Sequence, residues 1–214
     1  MPQLAVRNIE GEKVGQVDIP DDLLGLPLNL DLVHQALRVV ENQRHVGQHR
    51  VLRRGEIALT TAKWYRQKGL GRARHGSRAA NVFVGGYKAH GPHGARRPLH
   101  LPRKMRRKAL LSALSEQVRD GVVTILAGFD LPEISTKAVA RVLAGLGCEA
   151  RTLLILSPDE YRDQALYLSC RNLPGLLRRE VPHFSVRDVI WADDILITQA
   201  ALERLQAPQE EEGE

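Results

Sequence analysis

Residues 44–108 form a tract of one-sided charge that limits what the chain can fold into more than any other feature. The tract holds 18 lysines and arginines and a single acid, Glu56, which gives a net charge of +17. It also contains nine of the 18 glycines and six of the eight histidines. The other residues carry 13 basic and 24 acidic side chains, a net charge of −11. A segment of this composition cannot bury enough apolar surface to fold alone, so we expect an anionic partner to order it.

The residues on both sides of the tract have the apolar periodicity of a globular protein. Before it, the pattern predicts strands at 4–9 and 13–19, then a helix capped by Asn29 or Asp31 that runs to about Arg44. After it, the pattern predicts helices from Pro102 to Gly121, Ser135 to Leu146, Pro158 to Leu168 and after Thr198, with strands at 122–129, 151–157, around Cys170, 181–184 and 189–197. Strands that alternate with helices predict an α/β fold with a mostly parallel sheet and helices on both faces.

The tract interrupts this pattern between two helices that both have an apolar face. We therefore predict one discontinuous α/β domain, residues 1–46 and 102–206, from which residues 47–101 extend as a long, basic, glycine-rich loop. The polar, acidic residues 207–214 are predicted to be a disordered tail.

Basic residues also crowd the start of the predicted helix after Pro102. Lysine or arginine stands at Arg103, Lys104, Arg106, Arg107 and Lys108. The amino end of a helix favours negative charge, so this arrangement carries a dipole penalty unless the side chains serve an external anion.

Other classes of function have weak support. No phosphate-binding loop or nucleophile elbow is present, and no acid, base and nucleophile assemble, so an enzyme is not expected. His90, His93 and His100 lie among arginines without a cysteine or acid, so neither a metal nor another cofactor is expected. No apolar run is long enough to span a membrane and the first residues lack a secretion signal. Cys148 and Cys170, in apolar segments, predict buried free thiols and a cytoplasmic protein.

The basic tract fits RNA better than DNA or a membrane surface. Lysine and arginine neutralise phosphates, glycines allow close approach of the backbone, and aromatic rings can stack on unpaired bases. The rings here are Trp64, Tyr65, Phe83 and Tyr87. No recognition helix or zinc finger supports DNA, and residues 44–100 lack the amphipathic face of a membrane-surface helix.

The stretch WYRQKGLGRARHGS (64–77), followed by LPRKMRRKALLSALSEQV (101–118), resembles the universal large-subunit ribosomal protein number four. The bacterial family has W-R-Q-K-G-T-G-R-A-R-x-G-S at this place, and ten positions between Arg66 and Ser77 match it. The chain departs from the pattern at Trp64, Tyr65 and Leu70, and in the weak match at 84–87.

This resemblance implies a Rossmann-like three-layer domain and a non-enzymatic structural role in the large ribosomal subunit in the cytoplasm. It implies binding to 23S rRNA, support of early assembly, and contact with neighbouring ribosomal proteins. The loop tip would line the nascent-peptide exit tunnel near the site of macrolide antibiotics. The implied tip residues are Arg66, Lys68, Gly69, Leu70, Gly71, Arg72 and Arg74. The implied RNA-binding residues are Arg50, Arg53, Arg54, Lys63, Trp64, Tyr65, Arg66, Gln67, Lys68, Gly69, Gly71, Arg72, Arg74, Arg78, Lys88, Arg96, Arg97, Arg103, Lys104, Arg106 and Arg107.

Two other hypotheses stay open at this point. A free RNA chaperone, or an RNA-binding regulator of translation or transcription, would also use such a tract but would not associate stably with ribosomes. A nucleotide-dependent enzyme acting on RNA would need a phosphate-binding site in the acidic part of the chain.

Overall fold

The computed structural model describes residues 3–45, 47–92, 94, 98–129, 131, 133–148 and 150–206. Its elements are β1 (Gln3–Arg7), β2 (Lys13–Asp18), α1 (Asp21–Leu24), α2 (Leu30–Arg44), α3 (Arg103–Arg119), β3 (Val123–Leu126), α4 (Thr136–Leu146), β4 (Thr152–Leu156), α5 (Pro158–Arg162), α6 (Gln164–Cys170), β5 (Leu176–Glu180), α7 (Val186–Trp191), β6 (Asp194–Thr198) and α8 (Gln199–Gln206). The predicted α/β class is confirmed.

The strands form one sheet in the order β2-β1-β3-β6-β4-β5. β2 pairs with β1 in antiparallel register, and every other pairing is parallel. A mostly parallel sheet is thus confirmed. The last strand in sequence, β6, lies between β3 and β4.

Alternation along the central strands sends successive side chains into two separate cores. In β4, Leu153 and Ile155 belong to a core with residues of α1, α2, α3, α7 and α8, whereas Leu154 and Leu156 belong to a second core with residues of α4 and α6. All four side chains are fully buried. Since neighbouring residues of a strand face opposite sides of a sheet, helices cover both faces, as the apolar run at 151–157 predicts.

Short polar side chains set the helix boundaries. The Asn29 side chain accepts a hydrogen bond from the N–H of Leu32, which confirms Asn29 as the cap of α2. Ser135 caps α4 and Thr198 caps α8, as predicted. Gly121, with φ +73°, follows the end of α3, where only glycine adopts this conformation without strain.

Four predictions between Pro158 and Ile197 are wrong. The predicted single helix is two, because Asp163 accepts hydrogen bonds from the N–H groups of Ala165 and Leu166 and starts α6. Cys170 ends that helix instead of lying in a strand.

Residues 181–184, predicted as a strand, do not form one, and the strand at this place is β5, Leu176–Glu180. Residues 189–197, also predicted as a strand, contain the end of the helix α7 and most of β6. Strand β5 gives no clear signal in the sequence because its apolar run is interrupted by Arg178, Arg179 and Glu180. The start of α7 was not predicted because the apolar pattern there is typical of a strand, whereas the capping box of Ser185 and Asp188 begins a helix.

Asp188 is a buried carboxylate that joins this capping box to β5. Its side chain accepts hydrogen bonds from the N–H and hydroxyl of Ser185, at 3.0 and 2.9 Å, and from Arg179 Nε at 3.1 Å. Burial by itself raises the pKa of Asp188, but the bonds from Arg179 and Ser185 outweigh it and lower the pKa below its ordinary value. The folded protein therefore favours the ionised carboxylate.

The variant Asp188→Asn is expected to lower the free energy of unfolding at pH 7 by about 1–3 kcal/mol, because a buried charged pair loses one partner. A carboxylate with a lowered folded-state pKa stabilises the fold above its unfolded pKa, about 3.9, and that stabilisation disappears as the pH falls through the folded pKa. The difference between wild type and variant should therefore shrink below about pH 4. Urea unfolding followed by circular dichroism between pH 3 and 7 measures this, with Asp159→Asn as an exposed control. A constant difference across that range would contradict the assigned role.

The chain divides into two compact units, one with residues 1–41 and 100–214 and the other with residues 42–99. We call them the sheet unit and the basic segment. The predicted domain borders at 46/47 and 101/102 stay predictions, and the predicted tail, 207–214, lies outside the described residues.

Candidate nucleic-acid interface

Within its described residues, the basic segment has no helix beyond the end of α2 and is held by bonds between residues distant in sequence. The N–H of Leu99 donates to Asn42 Oδ1 at 3.2 Å, and the N–H of Val51 donates to the carbonyl of Pro92 at 3.0 Å. The N–H of Trp64 donates to the carbonyl of Gly76 at 2.9 Å. These three contacts are nested, so the chain runs out and returns beside itself, and residues 65–75 form the innermost turn of the segment.

A small aromatic cluster lies at the base of this innermost turn. The Trp64 ring meets Phe83 edge-on at 4.8 Å between centroids and is tilted against Tyr65 at 5.6 Å. His75 meets Phe83 edge-on at 4.8 Å, and the Arg78 guanidinium lies 5.3 Å from the centre of the Trp64 ring. Edge-on rings and a cation over an indole are the preferred geometries of such contacts. The cluster fixes the two ends of the turn relative to each other.

Polar contacts close the same turn. Lys63 Nζ donates to Gln67 Oε1 at 2.7 Å and to the carbonyl of His75 at 3.3 Å, and the Tyr65 hydroxyl donates to the carbonyl of Ala73. Gly69 and Gly71 have φ angles of +83° and +61°, a conformation that favours glycine. The turn is thus shaped by its own residues.

The glycines after the aromatic cluster allow close backbone packing. The N–H of Tyr87 donates to the carbonyl of Ala79 at 3.1 Å, and a Cβ on Gly86 would lie 2.0 Å from the carbonyl oxygen of Ala80. Glycine is therefore required at position 86 for this turn to close.

The basic side chains of the segment point outward. The described cations among the predicted RNA-binding residues are all exposed: Arg50, Arg53, Arg54, Lys63, Arg66, Lys68, Arg72, Arg74, Arg78 and Lys88. Gln67, Gly69, Leu70 and Gly71 are exposed as well, Trp64 is 48% exposed, and Tyr65 is half-buried. Arg96 and Arg97 lie outside the described residues.

Glu56 is the one acid between residues 42 and 99, and it is already engaged. The N–H of Arg53 donates to Glu56 Oε2 at 3.0 Å, and the Arg50 guanidinium pairs with Glu56 Oε1. The Arg53 bond, and then the Arg50 bond and charge, lower the pKa of Glu56 and keep it ionised. No second acid within the segment can neutralise the other cations, so their charge is available to an external anion.

The predicted residues at the start of α3 belong to the sheet unit. Arg103, Lys104, Arg106 and Arg107 are all exposed, and the first turn of α3 holds no acid. Pro102 occupies the capping position without a side-chain hydrogen bond, and Arg106 Nε donates to the carbonyl of Leu101 at 3.2 Å. The excess charge at this helix end therefore stays uncompensated by the helix itself.

Sequence reasoning missed the structural roles of His75 and Phe83. Phe83, predicted to offer its ring to unpaired bases, is half-buried between Trp64 and His75. The cluster joins residues up to 19 positions apart in a stretch without periodic structure, so no sequence pattern shows it.

Other kinds of site find no support in the part of the chain that the structure describes. No three metal-ligating side chains come together there, and no helix within it has the length and apolarity to cross a membrane. Cys148 and Cys170 are buried free thiols, as predicted, and burial raises the pKa of each to about 11.

Comparison with known proteins gives a consistent result. The model of the ribosomal protein L4/L1 family matches residues 17–208. The large ribosomal subunit protein uL4 of Thermoanaerobacter sp. strain X514 is 36% identical over 203 residues, which cover 94% of this chain and 96% of that protein. The uL4 of Heliobacterium modesticaldum is 33% identical over 206 residues, covering 96% and 98%. The uL4 of Streptomyces coelicolor is 36% identical over 194 residues, covering 90% and 88%.

Proposed function

The chain belongs to the ribosomal protein L4/L1 family, and from that premise we propose that it holds 23S rRNA in the large ribosomal subunit through its basic segment. Members of this family are structural components of the ribosome and not enzymes. The role is therefore one of binding and support within the ribosome, with rRNA and neighbouring ribosomal proteins as partners.

One observation carries the proposal for the basic segment. Its described cations are exposed, and the only acid among them is engaged by Arg50 and Arg53. Lysine and arginine in such an arrangement bind phosphates and release counterions, which is the main source of affinity for RNA. The 48%-exposed Trp64 adds a surface on which an unpaired base can stack.

The nested contacts support a specific role for residues 66–74. These residues belong to the innermost turn, which the hydrogen bond from Trp64 N–H to the carbonyl of Gly76 closes. They include four cations: Arg66, Lys68, Arg72 and Arg74. We propose that this turn lines the nascent-peptide exit tunnel, where it meets the nascent peptide and macrolide antibiotics. The sheet unit is proposed to be a Rossmann-like three-layer domain whose basic α3 start, Arg103 to Arg107, makes a second contact with the same RNA.

The proposal also assigns a time of action. A segment that neutralises many phosphates at once stabilises RNA contacts that would otherwise repel each other. We propose that the chain joins the subunit early and supports its assembly in the cytoplasm.

A salt-washed sucrose gradient of a cell lysate tests the proposal. Stable incorporation predicts that the protein co-migrates with the large subunit after a wash at high salt. Migration as free protein, or release by modest salt, would instead favour a free RNA chaperone or an RNA-binding regulator.

The variant Lys68→Glu tests the assignment of the innermost turn. It is expected to alter macrolide sensitivity while subunit assembly stays largely intact, because one side chain contributes about one phosphate contact and lowers the salt dependence of RNA binding by about one unit of slope. Lys88→Glu makes the same charge change outside residues 66–74 and is the matched control. Equal drug responses in the two variants would contradict a tunnel position for Lys68. The measurements are growth at graded macrolide concentrations and gradient profiles of the subunits.

A further inference from the structure

A small cavity opens in the sheet unit beside β5, an edge strand of the sheet. Its volume is about 120 Å³, and its lining consists of Tyr161, Tyr167, Cys170, Arg171, Leu176 and Arg178. The cavity is thus formed by α5, α6 and β5, all of which belong to the sheet unit. It contains none of the residues proposed to bind rRNA.

Arg178 is held in place by aromatic rings. Its guanidinium carbon lies 4.3 Å from the centre of the Tyr161 ring and 4.9 Å from that of Tyr167. Nη1 is buried without a hydrogen-bond partner, and among the described residues the guanidinium forms no ion pair. A buried donor without a partner is unfavourable, so an oxyanion that reaches this guanidinium would supply a missing acceptor.

A second arginine and two tyrosines line the same cavity. Arg171 lies 6.0 Å from the centre of the Tyr167 ring on the opposite end of α6 from Asp163. The phenol groups of Tyr161 and Tyr167 are hydrogen-bond donors. The positive charge of Arg178 also acts on Cys170, which lines the cavity. This charge lowers the pKa of the thiol, although burial raises that pKa by more.

The charge balance around the cavity favours a single negative charge over a polyanion. Residues 158–180 hold four acids and four arginines, a net charge of zero. Of these arginines, Arg179 is paired with Asp188, whereas Arg178 and Arg171 rest on tyrosine rings. An RNA strand presents a charge at every nucleotide and needs a path of cations, as in the basic segment, whereas a lone carboxylate needs only one arginine fork.

We propose that the cavity beside Arg178 is a binding site for one carboxylate, held by the guanidinium of Arg178 with support from Arg171 and the tyrosine hydroxyls. The carboxylate comes either from an acidic side chain of a protein partner or from a small free acid. In both cases the aromatic rings fix the arginine in advance, which lowers the entropy lost on binding.

Titration of the ¹⁵N-labelled full chain with acetate, followed by NMR of the arginine Nε–H signals, tests the site. We expect a saturable shift of the Arg178 signal with acetate and none with acetamide, which has the same shape and no charge. Arg178→Gln, followed through the Arg171 Nε–H signal at the same cavity, should raise the acetate Kd at least about tenfold, consistent with the loss of a charge-assisted hydrogen bond. Arg162→Gln, an exposed arginine of α5, is the matched control and should leave the Kd within about twofold.

Further arms separate the sources and keep the test decisive. If N-acetyl-glutamate methylamide binds more tightly than acetate, the source is a protein side chain; if acetate binds as tightly, it is a free acid. Arg171→Gln repeats the test should Arg178→Gln fail to fold, and it is expected to weaken acetate binding severalfold. The proposal is overturned if acetamide binds as well as acetate, if inorganic phosphate saturates the site while carboxylates do not, or if Arg162→Gln weakens binding as much as the cavity variants.

Discussion

A chain in which a short Gly/Ser linker replaces residues 46–97 is expected to lose stable attachment to the large ribosomal subunit while its sheet unit still folds. The replaced residues hold 12 lysines and arginines and one acid, so the net charge changes by 11 units, from +6 to −5. Proteins that make six to ten phosphate contacts lose about 10³–10⁵-fold in affinity for nucleic acid between about 50 and 200 mM salt, so contacts of this kind dominate the binding that a salt wash tests. The linker can be short because Leu99 N–H is bonded to Asn42 Oδ1 at 3.2 Å.

Two measurements check this prediction separately. Circular dichroism and urea unfolding show whether the shortened chain folds, and a gradient with a high-salt wash shows whether it stays on the subunit. A chain that lacks only residues 207–214 is the control, because it loses acids and keeps every cation. If the shortened chain does not fold, the sheet unit depends on the basic segment and the single-domain prediction is wrong. If it folds and still resists the wash, the anchor lies elsewhere.

Leu196→Ala is expected to lower the free energy of unfolding by about 2–5 kcal/mol, a large part of the 5–15 kcal/mol that stabilises a typical domain. Leu196 is 1% exposed on the central strand β6 and belongs to the core with Leu154, Leu126 and Val139. Removal of its side chain leaves a cavity between β6 and α4 that close-packed neighbours cannot fill.

Urea unfolding of the full chain at pH 7 measures the effect. Ile190→Ala removes a similar side chain that is 44% exposed on α7, and its cost should stay below about 1 kcal/mol. Equal losses in the two variants would mean that burial in the second core does not govern the stability of the sheet unit.

The sequence predicted the sheet unit well where apolar runs and capping residues agree. The strand at 151–157, the cap at Ser135 and the end of α3 at Gly121 follow from local rules that the tertiary structure obeys. Prediction failed at β5, where Arg178 and Arg179 occupy an edge strand. Their charges are accommodated by tyrosine rings and by Asp188, contacts that join separate elements and leave no local signal.

The candidate interface was predictable in composition and not in shape. The count of cations and the lone Glu56 predict an anion-binding segment from the sequence alone. The nested backbone bonds and the packing of Phe83 and His75 against Trp64 and Tyr65 depend on residues brought together without a repeating pattern. The ten matched positions between Arg66 and Ser77 indicated the protein family. The residue roles inferred from that family stay predictions.

The place of β6 in the sheet determines the order in which the chain matures during its own synthesis. β6 is the last strand made, yet it lies between β3 and β4, so the two halves of the sheet cannot join until residues 194–198 have left the translating ribosome. Residues 42–99 emerge about a hundred residues earlier. The newborn chain therefore presents its basic segment while the edges of β3 and β4 that pair with β6 are still open, an interval in which the proposed capture by RNA would also limit aggregation.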